Sequence, residues 1–261
     1  MLTPMLDEAV LATIADNTTG TDDTAGAGDI GDRRRPLMFV NAAIHTMDPM
    51  IGDFAAADLL LGGDVIVAVG PGLHAAAEDD GAIVVDCTGL TIVPAVIDGV
   101  AAAGLRARPA DRVGTLTPGN PATFAVIPGG VTLEKIIWRP EQAAAVVVDG
   151  EIALFNGERR SPTPVAADQT GPDPTGPDRS RPRAVDSPYL GMWIDETGFI
   201  HQELTADGRY DETRGGRPHA YQGSFWIDGD RIVYRDDLGF WAYGQFAAGV
   251  LHHAGYVFHR R

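Results

Sequence analysis

The sequence predicts an all-β protein: a β-sandwich followed by a separate seven- or eight-stranded antiparallel β-barrel. Three observations predict this. From Pro36 to about Glu158, short runs rich in Val, Ile and Ala alternate with Gly, Asp and Pro. Residues 159–188 form a stretch dense in Pro, Asp and Thr with almost no large apolar side chain, the composition of an extended linker. Beyond Tyr189 the aromatic content rises, and strand-like runs recur about every eight to twelve residues.

Taken in order, the chain divides into 1–35, 36–158, 159–188 and 189–261. In the first part Leu2, Leu6, Val10 and Ile14 recur at four-residue spacing, which places them on one face of a short helix able to dock on the body of the protein. Residues 17–35 hold too little apolar surface to pack and are expected to form a flexible leader, with Arg33, Arg34 and Arg35 as solvated charge. Strands are expected at 37–44, 57–61, 65–69 and 83–86, then at 124–127, 145–148 and 151–155, enough to close a sandwich. In the last part they are expected at 192–194, 199–204, 209–213, 221–227, 232–235, 240–246, 250–253 and 256–259. Asp207-Gly208, Asp228-Gly229 and Leu238-Gly239 mark turns between them. So many short strands in so few residues imply a small barrel.

Composition narrows the partners. The 261 residues are 44 % hydrophobic, enough for globular cores, and 36 acidic against 20 basic residues give a formal charge of −16. Such a charge repels phosphate backbones and anionic bilayers, so nucleic acid and membrane surfaces are not expected partners. Lys135 is the single lysine, a bias that carries no functional meaning. Cys87, the single cysteine, has no internal partner for a disulfide and fits a reducing compartment. Asp7 and Glu8 near the start do not suit a signal peptide, and no stretch approaches the roughly 20 apolar residues of a membrane span. A cytoplasmic protein is expected, and a homo-oligomer stays open.

Several passages between Met38 and Glu158 resemble the composite β-domain of the amidohydrolase superfamily, whose halves flank a metal-dependent (β/α)8 barrel. They include Ile44-His45-Thr46-Met47-Asp48, Gly62-Gly63-Asp64-Val65-Ile66-Val67 and Val84-Val85-Asp86-Cys87-Thr88-Gly89. On the far side, Gly114-Thr115-Leu116-Thr117-Pro118-Gly119-Asn120-Pro121-Ala122 resembles the strand that re-enters this domain, and Val147-Val148-Asp149-Gly150-Glu151-Ile152 its terminal hairpin. That family seats its metal on a His-x-His after a Pro-Gly-Phe-Ile-Asp type strand end, where the metal lowers the pKa of water. Here the passage reads Pro94-Ala95-Val96-Ile97-Asp98-Gly99-Val100-Ala101-Ala102, without histidine. Only residues 103–110 separate Ala102 from Asp111, whereas a (β/α)8 barrel needs on the order of 200 or more. No bound metal or other cofactor is therefore expected, nor hydrolysis of the family's type. Asp98, His45 and His74 read as ordinary polar residues of loops and strand ends.

Gly191-Met192-Trp193 resembles the Gly-x-Trp opening of lipocalins and their calycin relatives, in which the tryptophan closes one barrel end beneath an arginine of the last strand; Arg260 is placed to be that arginine. The wider run, including Gln202-Glu203-Leu204, Gly208-Arg209-Tyr210-Asp211-Glu212 and Asp236-Asp237-Leu238-Gly239-Phe240, resembles a small bacterial family of calycin-like single-domain barrels. The resemblance implies a fold and a ligand-holding mouth but no carried-over catalytic residue.

Candidate ligand-binding residues are Tyr221, Trp226, Tyr234, Trp241 and Tyr243 as aromatic lining, Tyr210, Arg214 and Asp236 as polar orienting groups, and His253, which matches the barrel family's pattern. Strand alternation sets Trp226 on the face of Gln222 and Ser224, and Trp241 on that of Tyr243 and Gln245. Such aromatics serve either as barrel core or as cavity wall. Acid–base groups such as His201, Glu203 and Asp211 stand as solvated pairs or as proton-transfer groups. Three functions follow: a small-molecule-binding protein with a non-hydrolytic sandwich as structural or docking module, a metal-independent cyclase or isomerase, or an interaction scaffold.

Overall fold

The first strand explains how the molecule is put together. In β1 (Leu37–Ile44) nearly every residue is buried, rather than alternate ones, the pattern of a strand covered on both faces. Its Leu37, Phe39, Ala42 and Ile44 enter one apolar core, and Met38 and Val40 enter another. The computed structural model in which these cores are seen describes residues 6–19, 35–79, 81–95, 114–131, 142–160 and 187–261.

Around β1 lies a mixed sheet. β2 (Phe54–Gly62) runs antiparallel to it, and β3 (Val65–Gly70) antiparallel to β2. On its other side β1 pairs in parallel with β4 (Ile83–Asp86) and then with β5 (Leu90–Pro94). From β5 an antiparallel series continues through β6 (Phe124–Pro128), β7 (Ala145–Val148), β8 (Glu151–Phe155) and the two-residue β9 (Glu158–Arg159). These strands enclose a core centred on Phe39, Leu59, Ile66, Ile92 and Phe124, with the Phe39 and Phe124 rings edge to face at 5.1 Å. Helix α1 (Glu8–Thr19) docks on it: Leu6 and Ile14 are buried there, and Asn156 accepts from the Leu6 amide at 3.2 Å and donates to its carbonyl at 3.0 Å. Strand β5, helix α2 (His74–Asp79) and β9 add to the elements expected from sequence.

The C-terminal part is a closed antiparallel barrel of eight strands: β10 (Gly191–Asp195), β11 (Ile200–Leu204), β12 (Arg209–Arg214), β13 (Arg217–Asp228), β14 (Arg231–Asp236), β15 (Trp241–Ala247), β16 (Val250–His253) and β17 (Tyr256–Arg260). Each pairs with the next, and β17 returns to β10 with Trp193 opposite Arg260, so the ladder has no free edge. Trp193 is buried at one end against Phe246, its indole donating to the Tyr189 carbonyl at 2.8 Å. Arg260 donates to the carbonyls of Pro188 and Leu190 at 2.6 and 2.7 Å and so ties the last strand to the segment entering the first.

Sheet and barrel share a ladder. Strand β16 reaches β15 only from Gly244 onward, and beside the first residues of β15 its place is taken by β3, with Trp241 opposite Val69 and Ala242 opposite Ala68. The side chains of that joint therefore sort by alternation. Val69 and Trp241 enter the sandwich core, whereas Ala68 and Ala242 face the barrel interior together with Leu60. Gly70 permits the approach: its φ is +137°, and a Cβ there would stand 2.5 Å from the Phe240 Cα.

The leader expected at 17–35 falls largely outside the described residues, but Asn17 and Arg35 at its ends hydrogen-bond reciprocally through the Asn17 side chain. Most of the expected linker, residues 161–186, and the passage 96–113 also lie outside them. Among the described residues no helix is long and apolar enough to cross a membrane.

Candidate functional site

Alternation along β12 turns Tyr210, Glu212 and Arg214 inward, and their buried positions alternate with partly exposed ones. The neighbouring strands add Gln202 of β11, Tyr221 of β13, Tyr234 and Asp236 of β14 and His253 of β16. A barrel interior this polar is stable only if its groups find partners.

Most do, in two short chains. The Tyr234 hydroxyl donates to Gln202 Oε1 at 2.8 Å, Gln202 Nε2 donates to Glu212 Oε2 at 3.1 Å, and Arg214 Nε donates to Glu212 Oε1 at 2.7 Å. The Arg214 and Glu212 side chains are only 5 % and 3 % exposed, so this is a buried ion pair supported by a third hydrogen-bonded residue. Separately, the Tyr210 hydroxyl donates to Asp236 Oδ2 at 2.6 Å, and Asp236 Oδ1 accepts from the Leu238 amide at 2.7 Å. Burial pushes the Tyr210 and Tyr234 hydroxyls well above the usual tyrosine range, and it raises the Asp236 carboxyl against the lowering effect of the Tyr210 hydrogen bond.

Tyr221 differs. It is 7 % exposed, and its hydroxyl has no hydrogen-bond partner among the described residues. Burial pushes that hydroxyl up to about 12, so it keeps its proton at ordinary pH, while the Arg214 guanidinium, 5.5 Å from the ring centroid, acts in the opposite direction. A buried donor without an acceptor costs roughly 1 to 3 kcal/mol.

The space beside Tyr221 is a cavity of about 40 Å³. Its floor is the barrel's polar set, Tyr210, Glu212, Arg214, Tyr221, Tyr234 and His253; its roof is apolar and comes partly from the other unit, through Leu60, Val67, Ala68 and Leu73. Phe240, Ala242 and Ala254 complete it at the barrel end opposite Trp193. Roughly 10 to 15 Å³ holds one water on this measure, so the space suits about three waters or one molecule of a few heavy atoms. The His253 ring lies 4.7 Å from that of Tyr234, and its Nδ1 is 2.7 Å from the Tyr243 carbonyl. A carbonyl accepts only, so Nδ1 carries the proton.

Of the residues singled out from sequence, Tyr210, Arg214, Tyr221, Tyr234 and His253 converge on this cavity. Asp236 stands behind it as the acceptor for Tyr210. Trp226, Trp241 and Tyr243 do not line it, which corrects the expectation from sequence. They alternate to the outer barrel face, where the Trp226 and Trp241 rings stack at 5.9 Å and pack on the sandwich core. Tyr243 lies under the Arg231 guanidinium at 4.8 Å and close to Gly119 of the sandwich, while Arg231 donates to the Pro118 carbonyl at 3.0 Å. Glu212 was missed although alternation from Tyr210 identifies its face. Leu60, Val67 and Leu73 carry no local signal, because only the β3–β15 joint brings them to the barrel.

His201 and Glu203 point outward. Asp211 meets His219, at 2.7 Å, on the outer surface. Among the described residues no three His, Cys, Asp or Glu side chains gather as a metal-binding set.

Fold and site together define a closed eight-stranded antiparallel barrel with a polar internal cavity roofed by a second sheet. Residues 186–260 belong to the family described as Agrobacterium tumefaciens protein Atu4866. The solution structure of that Agrobacterium tumefaciens protein is 49 % identical over 30 % of this chain and 99 % of that one, with a TM-score of 0.27. A crystal structure of a triazine hydrolase variant is 25 % identical over 29 % of this chain and 17 % of the hydrolase, with a TM-score of 0.22, so the match spans a small part of that enzyme. No curated protein matches.

Proposed function

We propose that the protein binds a small molecule in the cavity between the barrel and the sheet. The sheet, which resembles the amidohydrolase β-domain, then acts as a structural cover rather than a hydrolase, and the barrel as a calycin-like ligand holder. The observation that carries the reading is the Tyr221 hydroxyl: a protonated donor, buried at a cavity wall, without an acceptor. Barrel cores fill with apolar side chains when nothing has to be held. This one retains a paired charge, three tyrosines and a space walled in part by the small residues Ala242 and Ala254.

A metabolite screen by thermal shift on the full chain tests the reading, with Ala242→Leu as a cavity-filled control. A compound present at 100 times its Kd adds about 2.7 kcal/mol to stability, and the control is expected to lose that shift. A screen in which no compound stabilises the native chain selectively would overturn binding and leave the scaffold reading. A second reading is a proton-transfer enzyme, a cyclase or isomerase, in which the His253 ring at the cavity wall moves the proton. Turnover of a bound compound that His253→Gln abolishes without loss of binding would select it.

A further inference from the structure

We infer that the ligand is a small, uncharged molecule with one hydrogen-bond acceptor, such as a ketone, aldehyde or amide, and a short apolar part. The inference rests on the proposed binding reading and specifies its chemistry. Charge comes first. The guanidinium lining the cavity, Arg214, is paired with Glu212 at 2.7 Å, and both are buried. A ligand ion would enter an already balanced site and lose hydration without gaining a counter-ion.

Polarity comes next. The Glu212 carboxylate on the floor is engaged at both oxygens, by Arg214 and Gln202, and behind it Gln202 Oε1 receives the Tyr234 hydroxyl. Tyr210 gives its proton to Asp236. What stays unmet is the donor of Tyr221, and the guanidinium over its ring makes that hydroxyl a stronger donor. An acceptor on the ligand satisfies it. Opposite stand Leu60, Val67 and Leu73, without polar side-chain atoms, and these fit the ligand's carbon skeleton. The cavity volume of about 40 Å³ limits that skeleton to a few atoms.

The test is an NMR titration of the full chain, read at the Ala242 and Ala254 methyl groups, with acetone, acetamide, acetate, guanidinium and xenon. Acetamide and acetate share a shape and differ in charge. Acetone and acetamide are expected to give saturable shifts, and acetate and guanidinium none. Tyr221→Phe should weaken acetone binding about tenfold and leave xenon, which reports only an open apolar space, unaffected. Binding of acetate or guanidinium as tight as that of acetamide, or unchanged acetone affinity in Tyr221→Phe, would overturn the inference while leaving a binding cavity in place. Xenon binding alone would also overturn it. No response to any of the five probes would remove the binding reading itself.

Discussion

The two halves of the molecule treat buried polarity in opposite ways. The sandwich core is built from Leu, Ile, Val, Ala and Phe side chains around Phe39 and Phe124. Its buried thiol, Cys87, is pushed up to about 12 by burial and so is inert. The barrel interior instead holds Gln202, Glu212, Arg214, Asp236 and three tyrosines. An apolar interior asks only for volume and shape. A polar one must be satisfied group by group, and a single group left open then marks where something else belongs.

The largest expected effect probes the joint between the halves. Trp241→Ala, at the β3–β15 ladder and inside the sandwich core, should cost about 3 to 5 kcal/mol. Because its ring belongs to the other unit's core, the loss should appear as faster labelling of Cys87 as well as in barrel fluorescence. A barrel that weakens while Cys87 stays protected to the same degree would mean that the two cores are independent.

Next comes the ion pair. Arg214→Met leaves Glu212 buried without its counter-ion and should cost about 3 kcal/mol. Adding Glu212→Gln removes the stranded charge, keeps an acceptor for Gln202 and should recover most of the loss in urea titrations. A double variant as unstable as the single one would show that packing, rather than charge balance, sets the barrel interior.

The smallest effect concerns Tyr221. Replacing it by Phe removes an unmet donor, so stability at neutral pH should stay the same or rise by up to about 1 kcal/mol. Its hydroxyl is raised by burial to about 12 from the ordinary value of 10.0. Relative to its level below pH 10, folding stability is therefore lost as pH rises from 10 toward 12, where the unfolded chain ionises this hydroxyl and the folded one does not. Unfolding curves across that window should fall less steeply for Tyr221→Phe. Equal slopes would mean that the hydroxyl is open to solvent in the folded protein.

Much of this was legible in the sequence where structure is local. Turn pairs such as Asp228-Gly229 delimit β13 and β14, and the Tyr210 to Arg214 alternation belongs to one strand whose faces can be read without tertiary information. The aromatics were harder. Trp241 and Tyr243 share a face, as alternation requires, but which face is inner depends on where the barrel closes, so Trp226, Trp241 and Tyr243 read as lining as readily as Tyr221 and Tyr234 do. The structure assigns that face to the sandwich, and the lining to Tyr210 and Tyr234, whose hydroxyls are hydrogen-bonded inside, and to Tyr221. The roof from Leu60, Val67 and Leu73 could not be read at all. Sheet and barrel composition each describe a self-sufficient unit, and the ladder that joins them is a contact between residues about 170 positions apart.

The central claim, that the cavity between barrel and sheet holds a small molecule, is tested most directly by a high-resolution crystal structure of the full chain purified without unfolding. The account predicts non-water density within hydrogen-bond distance of the Tyr221 hydroxyl, bounded by Arg214 on one side and Leu73 on the other. A cavity closed by Tyr221 and Phe240, or one holding ordered water alone even after acetone soaking, would contradict it.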